Sequence, residues 1–171
     1  KKKINKITGL DKGEAEIREY IKKSKSRPFV VKDQGYIVPK KSIFNKVVGD
    51  SHFELEFAGF LENCDDIISY AKNYFAVHFK IDYKNADGNI SEYYPDFIVK
   101  VSPKEYYIVE TKGREDLDDI EKIKRLEQWC VDVNSSQKNA KYQMIYIKQE
   151  DWEAQGQKPR NFQAVIRGWS K

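Results

Sequence analysis

The chain has 171 residues, a net charge of +4, and 40% hydrophobic and 13% aromatic residues. This length and apolar content suffice for one globular domain with a core of its own. No stretch approaches the roughly 20 consecutive apolar residues needed to span a bilayer, and the basic N-terminal segment lacks the apolar run of a signal peptide. We therefore expect a soluble cytoplasmic domain that has no membrane partner.

The positive charge is concentrated at the N-terminus. Residues 1–28 contain ten Lys or Arg against four Asp or Glu. The chain begins with Lys1 and its only methionine is Met144, so we expect a piece of a longer protein. In this interpretation residues 1–35 are a basic linker or the tail of a preceding domain, with a short helix at residues 11–25, and residues 36–171 form the folded domain. A Lys-rich segment could contact phosphates, but a solvated linker is the commoner role.

The cysteines and histidines suggest no metal or catalytic site of their own. Cys64 and Cys130 have no His or Cys at metal-ligand spacing, and two thiols are too few for the disulfide framework of a small secreted domain. We expect them to be reduced and structural. His52 and His78 are the only histidines. A catalytic pair would require them to meet in space, and the strand pattern around His78 favours a packed or rim position instead.

The first predicted elements are an extended segment and a helix. Residues 29–39 alternate loosely around Gly35, which favours a pair of short strands or an extended arm. Ser51 is a suitable N-cap, and Glu54 completes a capping box. The sequence therefore predicts a helix over residues 52–62. Its buried face consists of residues at i, i+4, i+7 and i+8: Phe53, Phe57, Phe60 and Leu61.

A second helix and three strands are predicted next. Asp65 and Asp66 begin the helix, whose buried stripe is expected to comprise Ile67, Ile68, Ala71 and Phe75. The pattern then changes to a period of two residues, and Asp87-Gly88 is typical of a tight turn. We expect three antiparallel neighbouring strands at residues 77–83, 90–101 and 105–112.

A long helix and a parallel strand complete the expected fold. Gly113 ends the third strand, and a helix is predicted over residues 116–133 with one broad apolar face: Ile120, Ile123, Leu126, Trp129, Cys130 and Val133. A strand over residues 142–148 follows, and the intervening helix favours a parallel crossover. A last helix within residues 161–169 is possible. These elements predict an α/β sandwich, with a mixed central sheet of four or five strands flanked by helices.

Two carboxylates and a lysine stand out on the second and third predicted strands. Asp96 follows Pro95, and Glu110 and Lys112 end the third strand. If the hairpin pairs around Pro103, Asp96 and Glu110 are nearly opposite each other. Glu110 and Lys112 are two residues apart, so their side chains leave the same face of the strand.

This arrangement predicts a metal-dependent hydrolytic site. Carboxylates directly opposite each other destabilise a sheet, and a hard cation such as Mg²⁺ removes the repulsion. Asp96, Glu110 and the backbone carbonyl of Thr111 are the predicted ligands of Mg²⁺, for which Mn²⁺ can substitute. Lys112 would orient the attacking water or help to deprotonate it, and would offset charge in the transition state. The alternative is a solvated strand face on which Lys112 forms a salt bridge with Glu110.

The flanking segments resemble a known family. YYPDFIV, YYIVETKGRED and a helix ending in WCVDVN resemble the C-terminal endonuclease domain of the restriction subunit of type III restriction-modification enzymes, in the PD-(D/E)XK superfamily. KKSIFNKVVGDSHFELEFAGFLE is also similar, so the resemblance covers roughly residues 36–148. It implies a restriction-endonuclease-like sandwich, with Asp96 and Glu110 as metal ligands, Lys112 as catalytic lysine and Glu54 supporting the metal. Related helicase-nucleases of other defence systems remain an alternative.

The resemblance also implies an activity and partners. These are site-specific hydrolysis of phosphodiester bonds in duplex DNA, a modification (methyltransferase) subunit that supplies recognition, and a helicase-like motor upstream in the same polypeptide. The setting would be phage defence in the cytoplasm of a bacterium or archaeon. The sequence contains no GxxxxGK(S/T) phosphate loop, so ATP would serve only the motor.

Weaker candidates surround the motif. Lys122 and Arg114 are candidate contacts to DNA phosphates, and Glu56 is a less favoured alternative to Glu54. Four tyrosines could stack on bases, although alternation places half of them in the core: Tyr93, Tyr94, Tyr106 and Tyr107. The competing functions are a non-catalytic DNA-binding or partner-docking domain of the same fold, and a structure-selective resolvase, which would need a more basic surface.

Overall fold

The structure, a computed structural model, describes residue 30 and residues 34–170. The helix predicted at residues 11–25 and nearly all of the predicted basic tail lie outside the described residues. The boundary proposed after residue 35 stays a prediction. Among the described helices, none is both long enough and apolar enough to cross a membrane.

The described part of the chain contains strands and α-helices in a mixed order. The strands are β1 (Tyr36–Ile37), β2 (Val47–Val48), β3 (Ser69–Lys72), β4 (Ile81–Lys84), β5 (Ile90–Tyr93), β6 (Phe97–Ser102), β7 (Glu105–Lys112) and β8 (Lys141–Lys148). The α-helices are α1 (His52–Asn63), α2 (Asp119–Ser136), α3 (Gln149–Glu153) and α4 (Phe162–Trp169), and a 3₁₀ turn spans Phe75–Val77.

A mixed four-stranded sheet forms the centre of the fold, in the order β3-β6-β7-β8. The β3–β6 and β6–β7 pairs are antiparallel, whereas β7 and β8 are parallel. The parallel pair arises because α2 carries the chain from one end of the sheet back to the other between β7 and β8. The predicted mixed sheet flanked by helices is confirmed, and it is the restriction-endonuclease-like arrangement.

Helix α1 forms where the sequence predicts it. The Ser51 hydroxyl accepts a hydrogen bond from the Glu54 N–H at 3.1 Å, and Glu54 Oε2 accepts one from the Asp50 N–H at 3.0 Å. The Ser51 bond caps the helix as predicted, whereas Glu54 accepts from the residue before the N-cap and not from the N-cap N–H of a standard capping box. Phe53, Phe57 and Leu61 are buried against the sheet, and Phe60 packs at the edge of the same cluster.

The second predicted helix is wrong. Residues 69–72 form β3, the edge strand that pairs antiparallel with β6. The expected stripe does not exist as one buried face, since Ile68 is 51% and Phe75 is 72% exposed. The hydrophobic pattern of such a short apolar run does not distinguish a helix from a strand. Here the run forms a strand because it pairs with the otherwise unpaired edge of β6.

The predicted strand over residues 90–101 is also wrong in its continuity. Tyr94, Pro95 and Asp96 separate β5 from β6, because a proline has no N–H to donate to the ladder. Strand β5 pairs only with β4, in a separate two-stranded ladder. Their connecting turn is as predicted, with Gly88 at a φ of 82°.

Two hydrophobic clusters cover the two faces of the sheet. One joins α1, α3 and α4 to the sheet and includes Phe57, Phe97 and Trp152. The other joins α2, β4 and β5 to it and includes Leu126. The predicted apolar face of α2 is correct at Leu126 and Cys130, but Ile120, in the first turn of the helix, is 62% exposed.

The remaining helices and the cysteines complete the core. The possible last helix is confirmed as α4, whereas α3 was not predicted. Cys64 and Cys130 are free and buried in different clusters, as expected. Burial raises the pKa of both thiols to about 12, so they are unreactive near neutral pH.

Candidate active site

The register of the β6–β7 hairpin brings the two predicted carboxylates together. Phe97 pairs with Val109 and Ile98 with Ile108, so the next position along the ladder places Asp96 opposite Glu110. The predicted register is confirmed. An irregularity between Lys100 and Ser102 lies at the turn end of the hairpin, away from these carboxylates.

The Asp96 carboxylate is held at both oxygens. Oδ2 accepts hydrogen bonds from the Thr111 N–H at 2.8 Å and from the Thr111 hydroxyl at 2.7 Å. Oδ1 accepts one from the Lys72 ammonium at 3.0 Å. Only 14% of the Asp96 side chain is exposed. These bonds fix the orientation of the carboxylate before any ligand arrives.

The Glu110 carboxylate lies in a poorly hydrated environment. Burial, and then the nearby charge of Asp96, raise the pKa of Glu110 well above its usual value. The Tyr93 hydroxyl donates to Glu110 Oε2 at 2.8 Å, and this bond partly offsets the shift. Two carboxylates that repel each other in this way would be stabilised by a cation.

The sequence suggested only base stacking or core packing for Tyr93, and did not predict its hydrogen bond to Glu110. Tyr93 and Tyr107 are buried, and Tyr94 and Tyr106 are partly exposed, so half of the four tyrosines do belong to the core. Burial and the charge of Glu110 raise the pKa of Tyr93 well above its usual value. The phenol therefore stays protonated and serves as a permanent hydrogen-bond donor to Glu110.

Lys72 was also not predicted to be part of the site. It belongs to a cluster of charged side chains that we define as Glu54, Lys72, Asp96, Glu110 and Lys112. Its ammonium is 2.9 Å from Glu54 Oε2 and 3.0 Å from Asp96 Oδ1, and the residue is 3% exposed. Burial alone would lower the pKa of Lys72, but the charges of Asp96 and Glu54 outweigh it and raise that pKa. Lys72 was not predicted because this segment was assigned to a helix. In a strand, Tyr70 and Lys72 are two residues apart and lie on the same face.

Helix α1 contributes Glu54 to the cluster and directs Glu56 elsewhere. Burial, and then the charge of Asp96, raise the pKa of Glu54, while Lys72 opposes the shift. Glu56 instead accepts a hydrogen bond from the Trp152 indole at 2.8 Å and pairs with Lys158 at 3.1 Å. Of the two glutamates considered for the site, the structure brings Glu54 to Asp96.

Lys112 is directed toward the start of α2. Its ammonium is 2.7 Å from Asp119 Oδ1 and 3.1 Å from Asp116 Oδ2. Burial lowers the pKa of Lys112, but the hydrogen bonds to Asp119 and Asp116 outweigh it and raise that pKa. Within residues 34–170, no ion pair joins Lys112 to Glu110, so the alternative of a simple salt bridge between them is not observed.

The predicted DNA-contacting residues differ in their surroundings. Lys122 pairs with Asp116 at 3.2 Å and with Asp119 at 3.4 Å, so its ammonium is already engaged. Burial would raise the pKa of Asp116, but hydrogen bonds from Lys112 and Lys122 lower it to about 2. Arg114 lies in the exposed segment just after β7.

The donor set suits a hard divalent cation. Among the described residues, no three His, Cys, Asp or Glu side chains form a ready-made metal-binding group. Mg²⁺ does not require one, because it is usually held by one or two carboxylates together with waters and phosphate oxygens. Asp96 and Glu110 supply such a pair, and the pKa of Glu110 is raised first by burial and then by the charge of Asp96. The residues present therefore fit this metal.

A comparison with known protein families decides the assignment. The sequence model of a family described as an endonuclease domain matches residues 40–152, about two thirds of the chain. The chain belongs to this endonuclease-domain family. The nuclease domain is thus a hydrolase with a restriction-endonuclease-like fold. No curated protein and no solved structure gives a significant match.

The matched segment of the nuclease domain contains the whole side-chain cluster. It includes Glu54 and Lys72 as well as the three motif residues Asp96, Glu110 and Lys112. Strand β1 and helix α4 lie outside it. The family assignment therefore rests on the part of the fold that carries the cluster.

Proposed function

We propose that this domain is a Mg²⁺-dependent endonuclease that hydrolyses phosphodiester bonds of duplex DNA. The observation that carries the proposal is the hairpin register, which places Asp96 opposite Glu110, with Lys112 two residues further along the same strand. Membership of an endonuclease-domain family supports the reaction class.

Asp96 and Glu110 are the proposed metal-holding residues, with the Thr111 carbonyl as a third oxygen. When bound, Mg²⁺ polarises the scissile phosphate and lowers the pKa of a coordinated water, and Mn²⁺ can take its place. Thr111 orients Asp96 through its N–H and hydroxyl, and Tyr93 orients Glu110. Because the pKa of Glu110 is raised, its carboxyl group must be deprotonated before it can serve as a ligand.

Lys112 is the proposed group that orients the attacking water and offsets negative charge on the phosphate. An ammonium has three donors, and Asp119 and Asp116 accept from two of them. One donor is left for a water or a phosphate oxygen. The two aspartates keep Lys112 charged and limit the directions in which it can point.

We further propose that the domain is the cleavage module of a type III restriction enzyme. The support is the resemblance of three segments to that family: YYPDFIV, YYIVETKGRED and the helix ending in WCVDVN. Recognition would then come from a modification subunit, and movement on DNA from an ATP-driven motor upstream in the same polypeptide. Residues 29–171 carry a net charge of −2, so we expect the domain alone to bind DNA weakly. The motor would therefore hold the substrate.

Titration of the purified chain with Mn²⁺, with and without a DNA duplex, tests the metal site. We expect binding in the parent chain, and its loss in Asp96→Asn and Glu110→Gln. Glu105→Gln is the matched control, because Glu105 lies at the opposite end of β7 and accepts from Tyr107 and Gln143. Circular dichroism checks that each variant is folded.

Cleavage is measured on a supercoiled plasmid with Mg²⁺ or Mn²⁺, using the chain alone and the chain joined to its native motor and modification subunit. We expect nicking that depends on Asp96 and Glu110 but not on Glu105. Metal binding that is absent even with duplex DNA would contradict the proposal and favour a non-catalytic docking domain of the same fold.

A further inference from the structure

Lys72 is the most deeply buried charged side chain of the cluster. It ends the edge strand β3, is 3% exposed, and lies with its ammonium 5.4 Å from the centre of the Phe97 ring. The ammonium is about equally far from Glu54 Oε2 and Asp96 Oδ1, at 2.9 and 3.0 Å, and 3.9 Å from Asp50 Oδ2. A buried ammonium is costly unless it is paired in this way.

The position of Lys72 is one that a divalent cation would otherwise favour. Glu54 comes from α1 and Asp96 from the residue immediately before β6, and both carboxylates are largely removed from water. Without Lys72 the two anions would face each other with no cation between them. Two-metal nucleases place a second ion about 3.5–4 Å from the first, held by carboxylates that the two ions share. The Lys72 ammonium already occupies the space between the carboxylates of Glu54 and Asp96.

Asp96 also has little remaining capacity to bind a second metal ion. A carboxylate has about four acceptor positions. Three of those on Asp96 are taken, one by Lys72 and two by Thr111. One position remains, which is enough for a single metal ion but not for bridging two ions.

We propose that Lys72 is a resident cation that takes the place of a second divalent metal, so that the site binds one metal ion. In this arrangement Glu54 is a positioning residue that acts through Lys72 and is not a metal ligand. The inference rests on the proposed metal-dependent function and specifies the metal content of that site.

The number of Mn²⁺ ions bound per chain, measured by electron paramagnetic resonance during titration, tests the inference. We expect one ion in the parent chain and two in Lys72→Met, which removes the terminal ammonium and its charge but keeps most of the apolar stem. Lys72→Arg is the matched control, since it retains a cation, and should bind one ion. Mn²⁺ should also raise the melting temperature of Lys72→Met more than that of the parent chain, because the second ion replaces the missing charge.

Glu54→Gln provides a second test that does not depend on whether Lys72→Met folds. If Glu54 acts through Lys72, this variant still binds Mn²⁺, with at most the roughly 10–100-fold loss of affinity that is typical of removing a supporting partner. If Glu54 is a metal ligand, this variant loses Mn²⁺ binding as completely as Asp96→Asn does.

The outcomes separate this inference from the proposed function. Two ions in the parent chain, one ion in a folded Lys72→Met variant, or a loss of Mn²⁺ binding in Glu54→Gln as complete as in Asp96→Asn would each overturn the role of Lys72 and leave the proposed nuclease intact. No Mn²⁺ binding by the parent chain, even with duplex DNA, would contradict both.

Discussion

Thr111 holds Asp96 by donating two hydrogen bonds, from its N–H and its hydroxyl, to the same carboxylate oxygen, at 2.8 and 2.7 Å. Thr111, which lies between Glu110 and Lys112, therefore connects β7 to the residue immediately before β6. Thr111 is 7% exposed, so water cannot readily replace these bonds. The sequence predicted a role only for the carbonyl of Thr111, whereas the structure shows that its N–H and hydroxyl hold Asp96.

Thr111→Val should remove the hydroxyl bond and keep the N–H bond. Because Asp96 then loses one buried charge-assisted donor, we expect the free energy of unfolding to fall by about 1–3 kcal/mol. We also expect weaker Mn²⁺ binding, since the carboxylate is less well oriented. Urea denaturation and metal titration measure both effects, and Thr111→Ser, which keeps a hydroxyl, should stay close to the parent. An equal loss in the two variants would contradict a role for the hydroxyl.

The raised pKa of Glu110 predicts a pH dependence of stability. The metal-free folded state retains a proton on Glu110 at pH values where the unfolded chain, with a pKa near 4.5, has released it. The free energy of unfolding should therefore fall as the pH rises from 4.5 through the folded pKa. Glu110→Gln should lack this contribution, and urea denaturation between about pH 5 and 8 measures the difference.

Glu105→Gln is the control for this dependence and should follow the parent chain. Mn²⁺ affinity should change in the opposite direction, increasing with pH over the same window, because the metal requires the deprotonated carboxylate. A stability difference between parent and Glu110→Gln that does not change with pH would refute the assignment of the proton to Glu110.

Asp119→Asn tests the support of Lys112. The Asp119 side chain is 5% exposed, pairs with Lys112 at 2.7 Å and accepts the Asp116 N–H at 2.7 Å. The asparagine oxygen can still accept the N–H, but the lysines lose a buried anion, so we expect a destabilisation of about 1–3 kcal/mol. Asp116→Asn, at a side chain that is 52% exposed, should cost less than about 1 kcal/mol. The reverse order in urea denaturation would mean that Asp119 is not the main anchor.

Arg114 and Lys122 should differ in their contribution to DNA binding. Arg114 is exposed after β7, whereas Lys122 is engaged by Asp116 and Asp119. We expect Arg114→Gln to weaken binding to duplex DNA and to reduce the slope of log affinity against log salt by about 1. Lys122→Gln should leave that slope unchanged. Fluorescence anisotropy across a salt series measures both, and a larger effect of Lys122→Gln would reverse the assignment.

Local sequence was sufficient for the parts of the site that depend on near neighbours in the chain. The Ser51 and Glu54 capping pair predicts the start of α1, because both groups lie within one helical turn. The short turn between β6 and β7 limits the possible registers, so the approach of Asp96 to Glu110 follows from counting residues. The α2 crossover likewise predicts the parallel pairing of β7 with β8.

The failures occur where distant segments compete for the same surface. Residues 69–72 have no decisive period, and they become a strand because β6 offers an unpaired edge. Lys72 was missed for that reason, since only the edge position brings its ammonium between Glu54 and Asp96. The direction of Lys112 was equally unpredictable, because it depends on where α2 places Asp119.

The sequence by itself therefore determined the fold class, the hairpin that presents Asp96 and Glu110, and the helix that carries Glu54, because local spacing and capping set each of these. Only the tertiary structure decided which cations accompany those carboxylates. Lys72 obtains its partners from α1 and from the residue before β6, and Lys112 pairs with Asp116 and Asp119 where the chain enters α2. A buried charge takes whichever counter-charge the packing of such segments brings within hydrogen-bond distance.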